Sequence, residues 1–113
     1  MLADKINQIA NDLIGESFGG TYSFDRLPQH INQNTAIIIN THSCNLPGEH
    51  WIAVYRTGKL YKIFDPLGFY YPSKIISHFR ERGTVKCSRI HYQPVNTRIC
   101  GELCLMWIAD QHQ

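Results

Sequence analysis

The sequence predicts an α+β domain: a small, antiparallel-rich sheet flanked by helices, one of them central and buried. Three observations lead there. Apolar residues recur at helical spacing near the N-terminus. Short β-branched and aromatic runs, bounded by turn residues, fill the middle. A nearly all-round apolar stretch closes the chain. The length agrees: 113 residues make a single domain, 1–113, at roughly 100–200 residues per domain. Hydrophobic residues at 43% against 18% charged exclude disorder. A net charge of +2 gives no strong argument for a nucleic acid or a membrane surface.

The elements follow in order. Leu2, Ile6, Ile9 and Leu13 lie on one helical face, predicting a helix over about 2–14 that Gly15 ends. Asp4 suits its electropositive start. Gly19-Gly20 opens a loop, and residues 21–35 read as irregular. Ala36 to Ile39 reads as a buried strand. Trp51–Tyr55 and Leu60–Phe64 form a hairpin around Thr57-Gly58-Lys59. Pro72 starts a helix whose core residues are Ile75, Ile76 and Phe79, and Gly83 closes it. Thr84–Tyr92 is a further strand, with Val85 and Cys87 on one side. The last helix runs from Cys100 to about Asp110 and should be buried all round. The longest apolar run, Leu103–Ala109, is far short of the roughly 20 residues of a membrane span. Met1–Lys5 lacks the apolar core of a signal peptide. The expectation is an intracellular chain whose cysteines are thiols.

Two places could carry chemistry. His50 enters a strand, and Asp65 leaves its hairpin partner 15 residues later. A closed hairpin makes the two neighbours, and a carboxylate beside an imidazole fixes its tautomer and stabilises its charged form. Cys100 opens the last helix, where unpaired N–H groups and the helix dipole favour thiolate over thiol. Its own N–H can face an oxyanion, and Gln93, seven residues earlier, could supply a second donor. Nucleophile, base, orienting acid and oxyanion donors are then all present.

Blander readings exist for each. His50 could be a packed side chain, Asp65 a turn residue, and Cys100 and Cys104 core thiols. His42, Cys44 and His50 have no regular zinc-ligand spacing, so neither metal nor cofactor is expected. Arg80, Arg82, Lys86 and Arg89 read first as a solvated basic face. Tyr55, Tyr61 and Phe69–Tyr71 could line a peptide groove, or simply pack.

Taken together, Gly20-Thr21-Tyr22, Ile39-Asn40-Thr41, Gly48-Glu49-His50-Trp51-Ile52-Ala53, Phe64-Asp65-Pro66-Leu67-Gly68-Phe69, Gln93 and Cys100-Gly101-Glu102-Leu103-Cys104 resemble a known family in order and spacing. It is that of the adenovirus-type cysteine proteases, including those of virus-like DNA transposons, within the Ulp1-like group. The resemblance implies a papain-like, Ulp1-like core, C-terminally short because the chain ends at Gln113 soon after the nucleophile helix. Asp65 stands where the adenovirus enzymes usually have Glu and the SUMO-type relatives Asp.

The resemblance further implies a cysteine endopeptidase with Cys100 as nucleophile, His50 as base, Asp65 as orienting acid and Gln93 in the oxyanion hole. Trp51 would shield the thiolate–imidazolium pair or contact the cation through its ring. Substrates would be viral or transposon structural proteins, cut after small residues such as glycine. An activating peptide and DNA are family partners; no membrane is expected, and the chain should be a monomer in the virion and host nucleus or cytoplasm. Two other functions fit the same residues: a deubiquitinase or SUMO protease, and a degenerate relative that binds peptide or DNA without turnover.

Overall fold

The computed structural model describes residues 3–41, 50–66, 73–88 and 100–113, with Cys100 described by its backbone alone. The chain forms α1 (Ala3–Ile14), a 3₁₀ turn (Gly15–Ser17), β1 (Phe18–Ser23), β2 (Thr35–Asn40), β3 (Trp51–Thr57), β4 (Leu60–Phe64), α2 (Ser73–Arg80), β5 (Thr84–Cys87) and α3 (Cys100–His112). The α+β class holds. The five strands among the described residues lie side by side in chain order, β1 to β5.

The sheet is mixed rather than antiparallel-rich. Its centre, β2–β3–β4, is antiparallel, but both edges are parallel, β1 to β2 and β4 to β5. A parallel neighbour needs a crossover. Residues 24–34 supply the first and α2 the second. Phe24, Leu27 and Ile31 of the first crossover join Ile75 and Phe79 of α2 over the same face.

β1 corrects the sequence reading, which places Gly19-Gly20 and the residues after them in a loop. The glycines discourage a strand by composition, yet packing demands one of them. A Cβ on Gly19 would lie 3.0 Å from Ile37 Cγ2 and 3.1 Å from Thr35 Cγ2 of the neighbouring strand. Only glycine lets β1 approach β2 this closely without displacing those methyl groups.

Strand alternation divides the core between the two faces. Ala36, Ile38, Trp51, Ala53, Tyr55 and Phe64 meet α1 and α3 on one side. Ile37, Ile39, Ile52, Val54, Tyr61 and Ile63 meet α2 on the other. β2 is covered on both sides, which explains its unbroken isoleucine run. The β3–β4 hairpin turns through Gly58-Lys59, and Gly58 takes φ 61°. That is the glycine-first arrangement of a two-residue hairpin loop.

Two helix faces differ from expectation. In α1 the buried stripe is Ile6, Ala10 and Ile14, and Leu13 is 49% exposed. The helix is rotated so that small Ala10 faces the core, turning Leu13 outward; Leu2 lies outside the described residues. In α3, Gly101, Cys104, Leu105 and Ile108 are buried, but Met106 is 68% exposed. The helix lies on one face of the sheet beside α1 and is not surrounded, so part of its apolar circumference meets solvent. The expected strand to Tyr92 is described only to Cys87, followed by one more rung from Ser88 N–H to Ile63 O at 2.8 Å. Residues 89–92 lie outside the described part.

Candidate active site

His50 immediately precedes β3, and the ladder holds its backbone. The Thr41 N–H donates to the His50 carbonyl at 3.0 Å, and the Thr41 hydroxyl reaches the same oxygen at 3.4 Å. Asp65 immediately follows β4. Ala53 is in register with Phe64 in the antiparallel pair, so the start of β3 and the end of β4 share one edge of the sheet. The hairpin therefore brings the two side chains together, as the sequence leads one to expect. His50 Nε2 and Asp65 Oδ1 are 2.7 Å apart. The His50 side chain is 13% exposed and Asp65 is completely buried.

A buried carboxylate needs a strong donor, and a charge-assisted N–H···O contact of this length is one. With Nε2–H given to Asp65, the neutral ring carries its lone pair on Nδ1. The ring nitrogen able to accept a proton in this tautomer is Nδ1. Spacing alone could pair the two residues but could not distinguish the ring nitrogens.

Cys100 is the first residue of α3, as the sequence predicts. Among the described residues, three polar and ring contacts mark how that helix lies along the sheet. Lys62 Nζ donates to Gln111 Oε1 at 3.1 Å, the Trp107 ring stacks on Phe64 with centroids 5.3 Å apart, and Cys104 Sγ donates to the Trp51 carbonyl at 3.3 Å. Going toward the N-terminus of α3, the partners step from Lys62 to Phe64 and then to Trp51. Helix and strand keep pace: four helical residues rise about 6 Å, and two strand residues about 6.6 Å. One more turn takes the backbone from Cys104 to Cys100, and from the level of Trp51 to within about one strand residue of His50. The first turn of α3 thus comes to the end of the sheet that holds the His50–Asp65 pair.

Gln93 lies outside the described residues, as do His42, Cys44 and Phe69–Tyr71. Trp51 is 4% exposed and packs in the core between the sheet and α1 and α3. Its burial explains its size and hydrophobicity without a role at the site. Tyr55 and Tyr61 are also core residues, at 8% and 3% exposure, and not groove walls. The basic stretch is not uniformly solvated. Arg82 donates to the carbonyls of Gln29 and His78, tying the first crossover to α2. Cys104 is a core residue, as the sequence predicts, and fully buried, but its contact with the residue after His50 is not part of that expectation. The sequence signal for it is its position one helical turn beyond Cys100, on the same helix face.

Among the described residues, no helix is long and apolar enough to cross a membrane. No protein-family model matches the chain, and no curated protein matches it.

Proposed function

We propose that the chain is a cysteine endopeptidase of the adenovirus type. The observation that carries this reading is the 2.7 Å contact between His50 Nε2 and buried Asp65 Oδ1, at the end of the sheet reached by the Cys100 helix. In this reading His50 Nδ1 takes the proton of the Cys100 thiol, and Asp65 steadies the imidazolium that forms. The thiolate sulfur attacks the peptide carbonyl. The resulting oxyanion is received by the Cys100 backbone N–H and the Gln93 amide. Collapse of the intermediate breaks the C–N bond, and the imidazolium gives its proton to the leaving amine. Water then adds to the thioester, His50 again acting as base, and the acid product and the thiol are released.

Preference for small residues such as glycine, viral or transposon structural proteins as substrates, and residence in the virion or host nucleus all belong to this proposal through the family resemblance. The test is covalent capture. A peptide vinyl sulfone ending in Gly-Gly should add one probe mass to the intact protein, and digestion should map it to Cys100. His50→Ala and Cys100→Ala should each abolish that adduct. A folded wild-type protein whose Cys100 stays unlabelled would refute the assignment. Turnover of ubiquitin-like fusions but not of short peptides would favour the SUMO-protease alternative.

A further inference from the structure

Among the contacts that seat α3, the Cys104 thiol joins the turn after Cys100 to the residue after His50. We propose that Cys104 is a positioning residue, setting the distance between Cys100 and His50. This rests on the catalytic reading given to those two residues above. Cys104 is fully buried, and its Sγ lies 3.3 Å from the Trp51 carbonyl oxygen across 53 residues of sequence.

Both sides of this contact are stiff. Cys104 is joined to Cys100 by a single hydrogen-bonded helical turn. Trp51 is joined directly to His50, whose carbonyl is held by Thr41, and β3 is clamped between β2 and β4. A displacement at the thiol therefore passes to Cys100 with little relief in between.

The contact sets a narrow range of size. The thiol stands directly against main chain, which cannot rotate away as a side chain would. Alanine removes the separating atom and lets the helix settle or leaves a void. Valine, branched at Cβ, forces the helix outward. Serine keeps one small donor atom on the same carbon. Within the helix, Leu105 and Ile108 hold the remaining buried face against the sheet, so the helix itself survives these changes. A reacting pair misplaced by about 1 Å loses on the order of a hundredfold in rate.

The experiment compares wild type with Cys104→Ser, Cys104→Ala and Cys104→Val. It measures Cys100 adduct formation with the Gly-Gly vinyl sulfone at several probe concentrations, separating probe affinity from the maximal rate of bond formation. Thermal melting is followed in parallel. The expected result is a maximal rate lowered about 10- to 100-fold in the alanine and valine variants. Apparent probe affinity should hold within twofold, and serine should restore the rate to within a few-fold of wild type. A residue that only filled space would lower melting temperature and leave the rate of the folded fraction unchanged. That outcome, or equal rates in the alanine variant and wild type, overturns the proposal. If valine does not fold, alanine and serine carry the comparison, since neither overfills the site. An unreactive Cys100 in the wild type would instead overturn the catalytic reading itself, and the wild-type arm alone reveals it.

Discussion

Replacing Asp65 by Asn gives the sharpest test of the site, because it changes charge at nearly constant volume. Asp65 is wholly buried, and its Oδ1 is 2.7 Å from His50 Nε2. A hydrogen bond with a charged partner contributes about 1.5–3 kcal/mol, against roughly 0.5–1.5 kcal/mol for a neutral one. The substitution therefore costs on the order of 1–2 kcal/mol of stability, a fall of several degrees in Tm for a domain of this size. Reactivity should fall with it. In the proposed mechanism the imidazolium loses its charged neighbour, and the same 1–2 kcal/mol corresponds to a pair roughly 5- to 30-fold less reactive, at about 1.4 kcal/mol per tenfold. The assay is alkylation of Cys100 by iodoacetamide at neutral pH, read by digestion and mass spectrometry, with circular dichroism to confirm folding. A folded D65N protein alkylated within twofold of the wild-type rate would show that this carboxylate does not support the thiol. A protein that fails to fold would be replaced by Asp65→Glu, which keeps the charge and moves it. The expected loss is then one of position, with the alkylation rate falling while the melting temperature stays closer to that of wild type.

Three further substitutions test the fold that holds the site. Gly83→Ala places a Cβ 2.2 Å from the Lys59 backbone oxygen, so the α2–β5 turn must shift. Overpacking of about 1–3 kcal/mol should lower Tm, and an unchanged Tm would contradict the close approach. Phe79→Ala empties a fully buried site stacked on Tyr61 at 5.2 Å between centroids, and chemical denaturation should show a loss of about 3–5 kcal/mol. Met106→Gln, at a side chain 68% exposed, should change stability by no more than about 0.5 kcal/mol; a larger loss in a melting experiment would mean that this side of α3 is covered in solution.

The sequence by itself determined what depends on neighbours along the chain. Helical spacing located α1 and α2, alternating and β-branched runs located β2 to β4, and the glycine-first loop fixed the hairpin register. That register is enough to pair His50 with Asp65, because a hairpin closes its own two ends. The tertiary structure decided what depends on contacts between distant segments. It made Gly19 part of a strand, since the reason for that glycine is the methyl groups of Thr35 and Ile37. It rotated α1 to bury Ala10 in place of Leu13, and left Met106 outside. It assigned Nε2 rather than Nδ1 to Asp65, a choice of ring orientation that residue spacing does not encode. It also seated α3 through Cys104 on Trp51. Local pattern specifies each element and its apolar side, whereas the depth and rotation at which elements meet come from the volumes of both partners at once.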